Sequence, residues 1–482
     1  MASPEVAPFS KTGGLADVAG SLPLALATSA DVALFTPYYK CVRESGIETK
    51  SLAVSLSIPV GGGVREVRLR QGGWARSKAA VYFLECDEYF DRDQLYGTRD
   101  GDFPDNAERF AFFCRAVLEA ALALELKPDV IQAHDWQTGL IPVYLKTLYA
   151  DRFPKSTRAV MTLHNLSYQG LFPPHEFGVT GLPPALFGIE HLEFYGKWSF
   201  LKGGLVFSDW LTTVSPTYSK EILREDLGCG LDGVLRVRQD SLSGILNGVD
   251  YSLWDPTDDP LIPKNYSAKN LKGKEECKVA LQRRAGLRRD KSIPLVGMIT
   301  RLVEQKGIDI FLQMAPSLSQ DVVQFVILGT GSASYEERLK ALAAKDPDYF
   351  SVFTTFDNQL AHEIEAGADM FLMPSKFEPC GLNQIYSMRF GTIPVVRRTG
   401  GLADTVVDAS RDNIKTGGAT GFSFTDYSGD ALYACLQRAL SHFQDKKVWN
   451  QLMLNAMARD HSWESSAAEY LKLFKRLVKA AG

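Results

Sequence analysis

Several polar side chains stand where the strands of an α/β protein end, and their types suit the handling of a sugar phosphate. The apolar run at 129–133 leads into His134-Asp135-Trp136, that at 158–163 into His164-Asn165, and that at 243–246 into Asn247-Gly248. In the second half, 294–299 leads into Thr300-Arg301, with Lys306 five residues on, and 369–373 leads into Ser375 through Gly381. Arg301 and Lys306 supply two positive charges, and Gly381-Leu382 opens a helical segment whose N–H groups suit phosphate oxygens. Together they fit a diphosphate. Glu378 can accept hydrogen bonds from sugar hydroxyls, and His164 and Asn247 can close over the same ligand. Each group alone has a plain structural role open to it: a core histidine, a helix cap, a solvated charged face. Their shared position at strand ends, where open α/β sheets bind ligands, marks one cleft.

A hexapeptide, TGGLAD, occurs at Thr12–Asp17 and again at Thr399–Asp404. Paired glycines allow close backbone approach, and a helix N-terminus behind them offers N–H groups to an anion. Nothing else matches at that offset, so a tandem duplication is not supported. There is no GxxxxGK[ST] loop, no G-x-S-x-G elbow and no CxxC pair. The acid-x-acid pairs Asp100/Asp102 and Asp346/Asp348 fall in expected loops, and no metal site is expected from them.

The elements that must position these groups read as alternating strand and helix. Near-continuous apolar runs also recur at 322–328 and 392–396, with helical segments at 335–345 and 381–390, the pattern of a parallel sheet covered on both faces. Two α/β units are expected. The boundary falls in the Asn-, Gly-, Asp- and Pro-rich stretch 247–275. A last helix near 465–480, with Tyr470, Phe474 and Leu477 on one face, is expected to pack back on the first unit. The expected division is therefore 1–248 with 465–482, and 249–464. At 482 residues, with 45% hydrophobic and 23% charged, the chain has the makeup of a globular protein with a full core. A net charge of −4 gives no electrostatic case for nucleic acid or an anionic membrane, and no apolar stretch reaches the length of a membrane span. The odd number of cysteines, 7, fits reduced thiols in a cytosol-like compartment. The start, MASPEVAPF, lacks the pattern of a secretory signal.

These residues, in this order, resemble bacterial glycogen synthases and plant starch synthases, the ADP-glucose-dependent glycosyltransferases of the GT-B architecture. The resemblance runs from Lys11 to about Trp463. It is carried by Lys11 through Val18, His134-Asp135-Trp136, His164-Asn165, Asn247 through Asp250, Arg301 with Lys306, Lys376 through Leu382, and Arg397 through Leu402.

The resemblance implies two Rossmann-like, doubly wound domains facing a central cleft, the first for the acceptor and the second for the nucleotide sugar. By it, Arg301, Lys306, Glu378 and His164 carry catalysis, the two cations neutralising the departing ADP phosphates. Cys380, Gly381 and Leu382, with Thr399, Gly400 and Gly401, belong at the donor, and Phe356 falls where the family stacks a ring on adenine. Glu378, His164 and Asn247 hold glucose hydroxyls. Asp17, Tyr96, Asp135 and Trp136 lie on the acceptor side, and Lys11, with Gly13 and Gly14, reaches the diphosphate or the acceptor on domain closure. The implied reaction extends an α-1,4-glucan at its non-reducing end with retention, using no cofactor and no metal, in bacterial cytosol or plastid stroma. Oligomeric state is left open. A related transferase with another donor, a phosphorylase, and a non-catalytic glucan-binding scaffold are the rival readings. The sequence departs from the family in two places. Only MASPEVAPFS precedes Lys11, too short and Pro-rich for a full central strand, so the expectation is either a first sheet without its inner strand or a truncated version of a longer protein. Asn383 stands where relatives often carry another residue.

Overall fold

The β-branched runs of both halves become parallel strands, and the Gly-, Pro- and Asp-rich stretch between them stays irregular. The computed structural model describes residues 1–74, 77–98, 101–318 and 323–480, and the chain divides into two units. The first comprises Met1–Gly248 and Trp463–Gly482; the second is Val249–Ser462.

In the first unit, Leu242–Gly244, Trp210–Thr213, Arg158–Leu163 and Val130–His134 lie side by side in parallel. A second row runs Ala33–Pro37, Ala80–Glu85, Gly63–Gly73, Lys50–Val60. Its outer two strands form a hairpin whose Gly61-Gly62 turn has φ of 59° and 77°, the positive values that a two-residue hairpin turn requires. Met1–Ser3 joins the rows. Ala2 N–H donates to Gln132 O (2.8 Å) and His134 N–H to Ala2 O (3.1 Å); on the other side Phe35 N–H donates to Met1 O (2.9 Å) and Ser3 N–H to Phe35 O (3.0 Å). The expectation of a missing inner strand is thereby corrected. Three residues suffice, because a single extended rung can pair on both edges, and Pro4 follows it rather than interrupting it.

The helix Trp463–Lys479 belongs to this first unit. Its Ala467, Tyr470, Leu473 and Leu477 pack with Val18, Leu22 and Leu26 of the helix Gly14–Leu26. The 3.6-residue spacing of those apolar positions is what lets one face bury while Lys472, Lys475 and Arg476 remain outside it.

The second unit holds one parallel sheet of six strands, Phe350–Phe353, Gln324–Leu328, Leu295–Ile299, Met370–Met373, Ile393–Arg397 and Phe422–Phe424. In chain order that is 3-2-1-4-5-6, the doubly wound dinucleotide-binding arrangement, whose order reverses between Leu295–Ile299 and Met370–Met373. The apolar runs at 294–299 and 369–373 thus become the two strands that flank the switch point. In the core on one face Phe350 stacks on Phe325, which Phe311 meets edge to face, and Leu281, Leu360 and Ile364 fill the other face.

Candidate active site

Glu5 organises the first Gly-Gly loop. Its carboxylate accepts from Thr12 N–H (2.5 Å), Thr12 Oγ1 (2.9 Å), Gly13 N–H (3.3 Å) and the Tyr96 hydroxyl (3.1 Å). Burial raises its pKa against the pull of those donors. The N–H groups of Thr12 and Gly13 are therefore turned to the chain's own carboxylate, where an external anion was expected. Beside them Lys11 Nζ meets Asp17 Oδ1 at 2.6 Å; burial raises the Asp17 pKa, opposed by that lysine. Gly13 has extended backbone and open space where a Cβ would stand, and Gly14 begins the helix. Glu5 was not singled out from sequence, since an isolated acid in a Pro-rich segment carries no pattern.

The strand Val130–His134 ends in a clamp. Asp135 has φ 56° and ψ −178°, a conformation that L residues rarely adopt and that marks stored strain. In it Asp135 Oδ1 accepts the His164 backbone N–H at 2.7 Å. Burial pushes the Asp135 pKa up to about 7, although the N–H groups of His164 and Asn165 favour its ionised form. His134 Nδ1 and His164 Nε2 are 2.9 Å apart. Burial holds His134 well below the ordinary imidazole pKa and takes His164 to about 3, so both rings are neutral at pH 7. Trp136, expected beside the acceptor, is enclosed by Phe110, Phe172 and Phe200 at 5.0–5.9 Å, and a Cβ on Gly170 would strike its ring at 2.3 Å. Trp136 is 8% exposed and its ring forms a wall of the core. Asn247 is buried, and its Oδ1 has no partner among the described residues.

In the second unit Lys306 and Glu378 come together at the switch point. Lys306 Nζ and Glu378 Oε2 meet at 2.6 Å, with Lys306 side chain 17% and Glu378 side chain 7% exposed. Ser375 Oγ donates to the same Oε2 at 3.0 Å, a third member that strand-end position alone did not distinguish. Arg301 is exposed just beyond Leu295–Ile299. Gly381 (φ 74°) and Leu382 precede the helix Asn383–Arg389, and the Asn383 amide donates to Ile299 O (2.8 Å), fastening that helix to the end of the first strand. Cys380 is buried, with its carbonyl under the second Gly-Gly loop. A Cβ on Gly400 would lie 1.9 Å from Glu378 O, and one on Gly401 2.1 Å from Cys380 O. The glycines after Thr399 thus let two backbone loops touch, a use different from that of the first copy. Phe356 stands 87% exposed after the strand Phe350–Phe353.

No three His, Cys, Asp or Glu side chains among the described residues are grouped to hold a metal ion. Asp346 and Asp348 follow the end of the helix Ala333–Lys345, Asp102 lies in a two-residue strand, and Asp100 is outside the described residues.

The description "Starch synthase catalytic domain" matches residues 1–237, and "Glycosyl transferases group 1" matches 281–451. Glycogen synthase 2 of Geobacter sulfurreducens is 46% identical over 477 residues, 98% of each chain. Glycogen synthase of Anaeromyxobacter dehalogenans is 48% identical over 479 residues, again 98% of each. The catalytic domain of starch synthase IV from Arabidopsis thaliana, bound to ADP and acarbose, superposes with a TM-score of 0.91 at 35% identity, over 99% of this chain and 98% of that one. Sucrose-phosphate synthase from Thermosynechococcus elongatus, at 17% identity and a TM-score of 0.60, shares the fold alone.

Proposed function

This chain belongs to the family of bacterial glycogen synthases and starch synthases, and on that premise we propose that it transfers glucose from ADP-glucose to the non-reducing end of an α-1,4-glucan, with retention. It has the GT-B fold and is a glucosyltransferase of glucan synthesis. The donor is assigned to the second unit and the acceptor to the first.

The observation that carries the donor assignment is the Lys306–Glu378 pair at the switch point of a 3-2-1-4-5-6 sheet, with Arg301 just beyond one of the two strands that flank it. Two cations there stabilise the diphosphate as the glycosidic bond to it breaks, the charge-developing step of the reaction. The starch synthase IV structure holds ADP, the product such a step leaves. Phe356 offers an exposed ring for adenine, and Cys380, Gly381, Leu382, Thr399, Gly400 and Gly401 shape the backbone around the phosphates. On the first unit, His164 and Asn247 are assigned to glucose hydroxyls. Lys11, Asp17, Tyr96 and the segment at Asp135 are assigned to the glucan side, with Trp136 supporting them from the core.

Retaining glycosidases use a free carboxylate as nucleophile. Here Glu378 Oε2 is engaged by both Lys306 and Ser375, and Asp135 Oδ1 by a backbone N–H. That favours a same-face substitution in which the leaving phosphate steers the incoming hydroxyl, with no cofactor beyond the donor itself. All 7 cysteines are free thiols and no helix of the described residues is long and apolar enough to cross a membrane. A reducing compartment such as bacterial cytosol or plastid stroma suits the former.

The test is transfer of labelled glucose onto glycogen from ADP-glucose, with UDP-glucose in parallel. Incorporation from ADP-glucose supports the proposal. Preference for UDP-glucose would overturn the donor assignment, and glucan binding without turnover would overturn the catalytic one.

A further inference from the structure

We propose that His134 is a positioning residue that fixes the tautomer of His164, so that His164 presents an Nδ1–H donor to the substrate. Only the identity of that substrate rests on the synthase reading; the tautomer itself follows from the geometry of the two rings.

His134 is fully buried, at 0% exposure, whereas His164 keeps partial exposure. A group so enclosed acts through a neighbour. The neighbour is the His164 ring, whose Nε2 lies 2.9 Å from His134 Nδ1, with ring centroids 5.2 Å apart and planes inclined by 33°. Burial keeps both rings neutral, so each carries one N–H, and one of those protons must lie between the two nitrogens.

Two arrangements satisfy that hydrogen bond. In the first, His164 donates Nε2–H to His134 Nδ1. The proton of His134 must then sit on its Nε2, which is buried without a partner among the described residues. In the second, His134 donates Nδ1–H to His164 Nε2, and the buried Nε2 of His134 is only a bare lone pair. Orphaned buried N–H donors are rarer than unpaired acceptors. The second arrangement follows. His164 is left with its single proton on Nδ1.

The ring of His164 is therefore oriented by His134 and its backbone by the next residue, Asp135, through the 2.7 Å bond to its N–H. Two consecutive residues, at the end of one strand, hold the ring and the backbone of the same residue. The strained φ of Asp135 is what turns its carboxylate back toward His164 while His134 stays in the strand.

The ring nitrogens of His164 decide the matter in the whole protein labelled with 15N-histidine, with the His164 signals identified by their loss in His164→Ala. The expected result is a protonated-type shift at Nδ1 and an unprotonated-type shift at Nε2. The reverse overturns the proposal. This readout needs no activity, so it stands apart from any failure of the synthase reading. His134→Asn keeps an N–H where Nδ1 was and is expected to preserve both the tautomer and the turnover. His134→Phe removes it and is expected to mix the tautomers and lower kcat about tenfold, the size of one hydrogen bond. An unchanged tautomer in His134→Phe, or equal losses in the two variants, overturns the proposal. Should neither variant fold, the wild-type spectrum alone decides.

Discussion

Lys306 Nζ and Glu378 Oε2, 72 residues apart in sequence, meet at 2.6 Å where the order of the second sheet reverses. The pair joins the loop after the first strand of that sheet to the loop after the fourth. Each partner keeps the other in place, and Ser375 holds the carboxylate from behind. A cation in this setting can shift its share of interaction from carboxylate to phosphate as charge develops on the leaving group.

Lys306→Ala and Glu378→Ala are therefore each expected to lower kcat by about 100-fold or more, as losing one preorganised electrostatic contact does. The glucose-transfer assay measures this, and thermal unfolding confirms that both variants fold. Near-wild-type turnover in either would remove it from the catalytic set.

Phe356→Ala separates binding from chemistry. The ring is 87% exposed and supports nothing, so unfolding should be unchanged. Stacking on a base is worth about 1–3 kcal/mol, and KM for ADP-glucose is expected to rise about tenfold with kcat nearly constant. An unaltered KM would place adenine elsewhere.

The two TGGLAD copies should respond oppositely to the same change. Gly13→Ala meets open space at an extended φ and is expected to alter stability by no more than about 0.5 kcal/mol. Gly400→Ala brings a methyl to 1.9 Å from Glu378 O at a φ of 44°, and is expected to cost about 3 kcal/mol or more and displace Glu378. Denaturant unfolding and turnover of the two variants, side by side, check it.

Asp135 gives a pH signature. Its folded pKa of about 7 lies above the ordinary 3.8, so the folded chain holds a proton that the unfolded chain has released between those values. Stability from this group is full below pH 4 and declines as pH rises to 7. Asp135→Asn keeps an oxygen for the His164 N–H and cannot ionise. Relative to wild type it is expected to gain stability from pH 4 to 7, by at most about 4 kcal/mol, and to hold that gain above. Unfolding midpoints at pH 5 and 8 test this, and an equal difference at both would refute it.

The parallel sheets were legible because their strands are buried on both faces and read as unbroken apolar runs, with edges displaced by only a residue or two: 294–299 becomes Leu295–Ile299. Lys306 and Glu378 were legible because strand ends announce themselves. Their direct contact was not, since nothing in the linear order says which of two loops reaches the other. The hairpin Lys50–Val60 with Gly63–Gly73 escaped the reading although Gly61-Gly62 marks its turn. Its alternating residues give period 2, which no continuous apolar run marks. Glu5 and the rung at Met1–Ser3 were hidden for a common reason: each acts through a few local hydrogen bonds to distant segments, which leave no periodic trace. The packing of Trp136 was not legible, because an aromatic residue at a strand end can face a ligand or the core, and only neighbours such as Phe110, Phe172 and Phe200 show which.

The second unit is one uninterrupted stretch, Val249–Ser462, whereas the first is assembled from residues on both sides of it. On a ribosome this imposes a schedule. Once Ser462 has emerged, the second unit has every strand it needs, but Val18, Leu22 and Leu26 still lack the helix that covers them. Domains fold as their residues become available. The apolar face of Gly14–Leu26 therefore waits for its cover through the synthesis of more than 200 intervening residues, and Trp463–Lys479 closes the first unit last.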